Sequence, residues 1–293
     1  MNAKSSSGWA GEFADDALLL IGHGSTLNAE SAGPTHLHAE ALRKRGTFAE
    51  VAVCFWKEQP VISAGLRQLD ARRVFIVPLF ISDGYFTEQV IPRELGFRGN
   101  GAGDWSRTLR QGGRSIHYCG PVGTHSSMTE VILARAAEVV KAHPDLAEAK
   151  SPLSPECSLF IAGHGTGNNE NSRKAIEAQV QLIAARNQYH DVHAIFMEEE
   201  PRIESVYTLG GTDNVVIVPF FIADGLHSYE DIPMMLGVPE VEVRARLARG
   251  EPTWRNPTCY RGKRVWYSRS IGDEPHLPDV ILERVREAAG QMV

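Results

Sequence analysis

The residues best suited to chemistry are two histidines and a run of glutamates in the second half of the chain. His164 stands between two glycines directly after an apolar run, and His227 ends the sequence Asp224-Gly225-Leu226-His227 after another. A third apolar run is followed by Glu198-Glu199-Glu200. Neutral imidazole binds first-row metals such as Co, Ni, Fe and Zn, and a carboxylate completes such a site or accepts a proton. The residue types therefore predict an open metal site, provided that the fold brings them together.

The strands that precede these residues must position them. Each half of the chain alternates short apolar runs, rich in Val and Ile, with helical patterns, which is typical of parallel strands covered on both faces. The predicted strands are 17–21, 51–55, 74–80 and 116–119 in the first half, and 158–162, 192–196, 215–221 and 265–267 in the second.

This alternation predicts an α/β fold with two tandem flavodoxin-like, three-layer α/β/α domains, each with a mainly parallel four-stranded sheet. A sheet of this type commonly has the order 2-1-3-4, with its ligand crevice at the carboxyl ends of strands 1 and 3. In the second domain those ends carry His164 and His227. We therefore expect both imidazoles on one rim, with the glutamate run beside them.

The two halves are copies of one unit. At an offset of 141 residues, Leu19–Thr26 matches Phe160–Gly167, Pro60 matches Pro201, Val77–Gly84 matches Val218–Gly225, and Ile91-Pro92 matches Ile232-Pro233. Tyr118 and Gly123 match Tyr267 and Gly272 at an offset of 149. The predicted division is a flexible N-terminus at 1–16, a first domain at 17–148, a Ser- and Pro-rich linker at 149–155, and a second domain at 156–293.

The first copy lacks part of the candidate site. It keeps His23, but Phe86 stands where the second copy has His227, and Val90 where the second has Asp231. One histidine and one phenylalanine cannot form the same metal site. We interpret the first copy as a degenerate, structural half in which His23 lines a cleft.

Two motifs resemble those of a known family. The pattern Gly-His-Gly-Ser/Thr follows the first strand, and Pro219–Pro233 contains a long run ending in Gly-x-His-x-x-x-Asp-Ile-Pro. Together they resemble the class II tetrapyrrole chelatases, which include the sirohydrochlorin cobalto-, nickel- and ferrochelatases. The resemblance spans both copies. It implies insertion of Co, or alternatively Ni or Fe, into a carboxylate-rich tetrapyrrole, with the divalent metal ion as a substrate, no organic cofactor and no iron-sulfur cluster.

The resemblance also assigns roles to residues. It implies that His164, His227 and Glu198 bind the metal and take part in catalysis. Relatives place a glutamate in a Phe-Leu-Glu run; aligning from Phe196 selects Glu198, whereas aligning back from Pro201 puts Met197 there, so the choice within the glutamate run stays open. The residues expected to contact substrate are Gly165, Thr166, Gly225, His23 and Ser25.

Composition excludes several other classes. The formal net charge is −6 and neither half has a dense basic stripe, which argues against a nucleic-acid partner. No apolar run approaches the roughly 20 residues of a membrane helix, and no signal peptide is evident, so we expect no membrane association and a cytoplasmic protein. None of the four cysteines forms a Cys-x-x-Cys pair. A fused duplicate is compatible with a monomer or a homodimer.

Two other functions remain open at this stage. The chain can be a non-catalytic metal- or tetrapyrrole-binding protein derived from a chelatase, as the loss at Phe86 and the irregular glutamate run suggest. A metal-dependent hydrolase using the same histidines and glutamate is a weaker alternative, because the chain lacks Asp-rich motifs that bridge two metals.

Overall fold

A computed structural model describes residues 11–26, 29–98, 105–144, 156–165 and 170–290. Its ten strands are Phe13–Gly22 (β1), Phe48–Phe55 (β2), Arg73–Pro78 (β3), Thr108–Gln111 (β4), Arg114–Tyr118 (β5), Cys157–Gly163 (β6), Asp191–Phe196 (β7), Asn214–Pro219 (β8), Thr258–Tyr260 (β9) and Lys263–Tyr267 (β10). In the same ranges the α-helices are Gly33–Arg45 (α1), Ile62–Gly65 (α2), Ile91–Glu94 (α3), Met128–Ala142 (α4), Asn171–Ala184 (α5), Val206–Leu209 (α6), Ile232–Met235 (α7), Glu240–Ala248 (α8) and Leu277–Gly290 (α9). None of these helices is long and apolar enough to cross a membrane.

The strands form two sheets of the same topology. Their orders are β2-β1-β3-β5-β4 and β7-β6-β8-β10-β9, so the predicted 2-1-3-4 order is confirmed. The first four strands of each sheet are parallel, and the last is antiparallel. Central strands β1 and β6 are buried almost throughout, as expected for strands covered on both faces. The predicted α/β architecture is confirmed, with five strands in each sheet.

The prediction of four strands per sheet is wrong because the edge strands carry little apolar signal. Strands β4 and β9 have only four and three residues, and their side chains are mostly exposed. Each joins its neighbour through a two-residue loop, Gly112-Gly113 or Arg261-Gly262, and all four loop residues have positive φ. Such loops match the twist of antiparallel hairpins.

The compact units differ from the predicted domains. Unit 1 comprises the described residues through His125 and those from Pro275 onward, and unit 2 runs from Ser126 to Glu274. Helix α4, from the first copy, packs on β8 and β10, whereas α9, from the second copy, packs on β3 and α1. Each copy therefore gives its last helix to the other copy's sheet. The predicted linker at 149–155 lies outside the described residues.

One ion pair helps to hold each of the two exchanged helices. Arg135, whose side chain is 2% exposed, pairs from α4 with Asp273. Arg45 of α1 pairs with Asp279 of α9 at 2.5 Å.

The N-terminal prediction also needs correction, because β1 begins at Phe13 and the carboxylate of Asp16 receives two hydrogen bonds from Arg73, at 2.5 and 2.8 Å. Strand β1 therefore begins before residue 17, the predicted start of the first domain.

Candidate functional site

His164 is held in a tight turn at the carboxyl end of β6. A Cβ on Gly163 would lie 2.2 Å from the end of the Ile176 side chain, so a larger residue here would require that side chain to move. Gly165 has φ +69°, and a Cβ there would lie 2.6 Å from Glu199. Of the two glycines, Gly165 alone has positive φ, and Gly163 leaves room for the side chain of Ile176 from α5.

The turn also fixes the tautomer of the neutral His164 ring. Its Nδ1 lies 2.7 Å from the carbonyl oxygen of Gly165. A carbonyl oxygen can only accept a hydrogen bond, so Nδ1 carries the proton and donates. The lone pair of Nε2 is then available for a metal ion or a proton. The side chain is 36% exposed, so the ring is accessible.

His227 begins a single π-helical turn, His227–Asp231, that follows the end of β8. Such turns occur frequently at functional sites. Nδ1 of His227 lies 2.6 Å from Oδ2 of Asp231, one turn further along. This carboxylate–histidine pair orients the ring and leaves Nε2 available, as in many metal sites. The rings of His164 and His227 have centroids 4.9 Å apart and are inclined at 76°.

The structure distinguishes the three glutamates after β7. Glu198 is 58% exposed, and its Oε2 lies 3.7 Å from Nδ1 of His164. Glu199 is bound to Arg173 at 2.9 Å, and Glu200 is 80% exposed with an oxygen 3.7 Å from Arg202. Glu198 is thus the glutamate of the run that stands beside a site histidine.

The predicted metal-ligand set is only partly assembled. His164 and His227 are adjacent, but Glu198 approaches the Nδ1 side of His164, which the Gly165 carbonyl already occupies. In the described ranges no group of three His, Cys, Asp or Glu side chains is arranged to hold a metal ion. The geometry therefore supplies two imidazole ligands and a nearby carboxylate, and Glu198 as a third ligand stays a prediction.

The other predicted site residues fall in different places. His23 and Ser25 belong to unit 1, and Thr166 lies outside the described residues. The carbonyl oxygen of Gly225 accepts hydrogen bonds from the backbone N–H groups of Ser228 and Tyr229, at 2.9 and 3.0 Å. Gly225 thus starts the π-helical turn that carries His227, whereas its predicted substrate contact stays untested.

Arg173 supports the site from α5. Its guanidinium pairs with Glu199 and Glu177 and lies 4.4 Å from the ring centroid of Phe196. These contacts brace the backbone that carries Glu198. The sequence did not reveal this role, because Arg173 and Glu199 are 26 residues apart along the chain.

Two supporting residues of the rim recur in both copies. The hydroxyl of buried Tyr267 donates to the carbonyl oxygen of Ser228 at 2.9 Å, and that of Tyr118 donates to Thr87 at 2.8 Å. Burial raises the pKa of both tyrosines well above its usual value, so both hydroxyls keep their protons. Each unit has one such π-helical turn, Phe86–Val90 in unit 1 and His227–Asp231 in unit 2. Each turn is therefore held by the hydroxyl of a tyrosine, from β5 in unit 1 and from β10 in unit 2. The repeat offset of 149 was the sequence signal for this pair.

Two stretches of the chain, residues 17–139 and 158–288, match the sequence model of the CbiX family. The chain belongs to the CbiX family. The double match confirms the duplication and the family resemblance. Residues His164, Glu198 and His227 all fall within the second CbiX match.

Relatives of this CbiX-family chain carry related names. A probable sirohydrochlorin cobaltochelatase of Halobacterium salinarum is 41% identical over 282 residues, which cover 93% of this chain and 91% of the relative. A sirohydrochlorin cobaltochelatase of Methanopyrus kandleri is 25% identical over 153 residues, which are 46% of this chain but 98% of that protein. The second relative is therefore the length of one copy.

Solved structures share the fold of the CbiX-family chain. A multi-domain protein of Deinococcus radiodurans, described as structurally similar to chelatases, has a TM-score of 0.73 and 28% identity; the match covers 93% of this chain and 55% of that one. SirB from Bacillus subtilis, solved with Fe3+, has a TM-score of 0.65 at 18% identity and covers 94% and 97% of the two chains. The likeness to SirB shows the fold alone.

Proposed function

We propose that this CbiX-family chain is a metal chelatase that inserts a divalent ion into sirohydrochlorin or a related carboxylate-rich tetrapyrrole. The observation that carries the proposal is the pair of imidazoles in unit 2, whose ring centroids are 4.9 Å apart and whose Nε2 atoms are both left available. The names of the relatives favour cobalt over nickel and iron. A metal that is inserted is a substrate, so its site must release it.

Two imidazoles suit this task. Neutral imidazole binds Co(II), Ni(II) and Fe(II) well, and ligation by few protein groups leaves positions for water and then for pyrrole nitrogens. His227 keeps its orientation through Asp231 while its metal bond forms and breaks. His164 keeps its orientation through the carbonyl oxygen of Gly165.

Insertion also removes two pyrrole N–H protons from the macrocycle, and these need acceptors. Glu198 is the exposed carboxylate beside His164, and it is free of the ion pair that holds Glu199. A carboxylate in contact with solvent accepts a proton and passes it to water. We assign Glu198 as the proton acceptor and the two histidines as the metal-binding pair.

The test is an absorbance assay of purified protein with sirohydrochlorin and Co(II), Ni(II) or Fe(II) in turn. We expect accelerated insertion that the double variant His164→Ala/His227→Ala loses. A matched control is His190→Ala. His190 is an exposed histidine that precedes β7, so it lies at the amino end of that strand, whereas the site lies at the carboxyl ends. Equal insertion rates in the double variant and the wild type would overturn the proposal.

The alternative is a protein that binds the metal without inserting it. The observation favouring it is the lack, within the described residues, of a third metal donor arranged with the histidine pair. Saturable binding of Co(II) that requires His164 and His227, with sirohydrochlorin conversion no faster than without protein, would select this alternative.

A further inference from the structure

In each unit the rim is the set of turns at the carboxyl ends of the parallel strands. The rim of unit 1 has the same backbone arrangement as that of unit 2 but carries different side chains. In both units the residue two positions after the end of β2 or β7 donates its backbone N–H to the histidine carbonyl oxygen: Lys57 to His23 and Glu198 to His164, both at 3.0 Å. Gly24 and Gly165 have φ of +66° and +69°. The two backbones are therefore equivalent, and the difference lies in the side chains they present.

Three replacements in unit 1 remove an imidazole or a carboxylate that the rim of unit 2 carries. With the offset of 141, the corresponding pairs are His23 and His164, Phe86 and His227, Lys57 and Glu198, Trp56 and Met197, and Val90 and Asp231. One imidazole remains, the carboxylate has become an ammonium group, and the carboxylate that orients the second histidine has become a buried valine. This set offers a divalent cation a single imidazole nitrogen, and its ammonium group can pair with an anion.

The replacements also create an aromatic surface. Phe86 begins the π-helical turn Phe86–Val90, as His227 does in unit 2. Its ring stacks on Phe80 with centroids 6.2 Å apart, and meets Trp56 and His23 edge-on at 5.8 and 5.2 Å. Tyr85, which is 59% exposed, extends the cluster at 5.7 Å. Partly exposed aromatic rings in one cluster suit a flat conjugated ligand.

The charge beside this cluster is available for a ligand. The side chain of Lys57 is exposed and has no ion-pair partner among the described residues. The nearby carboxylate of Glu58 is engaged, because its Oε2 accepts the backbone N–H of Ser25 at 3.1 Å. His23, like His164, uses Nδ1 to bond the next carbonyl oxygen, at 2.9 Å, so its Nε2 is available.

We propose that the rim of unit 1 is a tetrapyrrole-binding surface that does not bind free metal. The macrocycle lies on Phe86 and Trp56, and one of its peripheral carboxylates pairs with Lys57. This inference rests on the proposed function for the identity of the ligand. It extends the substrate contact expected at His23 and Ser25 to an aromatic and charged surface of the first copy.

Binding is measured with sirohydrochlorin as the probe, by quenching of its fluorescence, in the His164→Ala/His227→Ala background so that no metal is inserted. We expect Phe86→Ala and Lys57→Glu each to weaken binding about tenfold or more, because one removes a stacking surface and the other reverses a charge. Phe86→Tyr and Lys57→Arg should bind within about threefold of the parent. Lys44→Glu, which reverses the charge of an exposed lysine on α1, is the matched control and should have no effect.

Equal affinity of the parent, Phe86→Ala and Lys57→Glu, with all three folded by thermal unfolding, would overturn this inference. Saturable binding of Co(II) to unit 1 in the same background would also overturn it. Failure of metal insertion by the wild type is a separate result: it removes the chelatase proposal, whereas Phe86- and Lys57-dependent binding of sirohydrochlorin would still support the surface.

Discussion

Asp231 accepts a hydrogen bond from Nδ1 of His227 across 2.6 Å, between the last and first residues of one π-helical turn. The carboxylate fixes Nδ1 as the ring nitrogen that carries the proton and leaves the lone pair of Nε2 available. Asp231 is thus a positioning residue for the site.

Replacement of Asp231 by Ala should weaken Co(II) binding by about 10- to 100-fold, because the ring of His227 loses its orientation and its preferred tautomer. Asp231→Asn should recover part of the loss, since its side-chain oxygen still accepts a hydrogen bond from Nδ1. The measurement is a Co(II) titration followed by the visible absorbance of the bound ion. Unaltered affinity in Asp231→Ala would contradict the assigned role.

Glu198 and Glu200, which both follow β7, should respond differently to removal of charge. Glu198→Gln should lower the rate constant for metal insertion by about 10²- to 10⁴-fold, the usual range for a general acid or base, while Co(II) binding changes little. Glu200→Gln should match the wild type, because Glu200 is 80% exposed and pairs only loosely with Arg202. Loss of Co(II) binding in Glu198→Gln would instead make Glu198 a metal ligand.

The placement of the two histidines was predictable, whereas the choice of glutamate was not. Strand order alone brings the ends of β6 and β8 together, so residues next to those ends must meet. The glutamates occupy one turn in consecutive positions, and nothing local separates them. The distinction arises because Arg173, from α5, captures Glu199 and leaves Glu198 exposed. Such long-range pairing leaves no periodic signal in the sequence.

The exchange of α4 and α9 was hidden for a related reason. The repeat shows that α4 and α9 are equivalent elements, but it does not show on which sheet each one packs. Both helices have an apolar face. The two sheets are equivalent copies, so the sequence does not distinguish which helix covers which sheet. The edge strands β4 and β9 were missed because they are short and exposed, so they lack the apolar run on which strand prediction depends.

Gly272 should tolerate no side chain. A Cβ at this position would lie 1.5 Å from the carbonyl oxygen of Ile222, which belongs to the backbone and cannot move aside. We expect Gly272→Ala to reduce the free energy of unfolding by about 2 kcal/mol or more, as for overpacked interiors. Gly33→Ala is the control, because a Cβ there meets nothing within 4 Å. Urea unfolding measures both, and equal midpoints would refute the predicted clash.

Thiol reactivity should report whether the cores of the protein shield their cysteines from solvent. Burial raises the pKa of Cys54 and Cys119 to about 12 and that of Cys157 to about 11, whereas Cys259 is exposed. A pH of 8 is well below the pKa of the buried thiols, so these thiols stay protonated. Only Cys259 should therefore react rapidly with a disulfide reagent. All four should react in denaturant. Rapid labelling of native Cys259→Ser would show that the cores open readily.

The equivalence of the two rims predicts that a metal site can be transferred between them. In the His164→Ala/His227→Ala background, Phe86→His with Lys57→Glu should restore Co(II) binding, because His23 already presents Nε2 in the way that His164 does. The affinity should be about 10- to 100-fold below that of the wild type, since Val90 supplies no orienting carboxylate. Adding His23→Ala should abolish the restored binding. Binding that survives this third change would mean that the metal is held elsewhere.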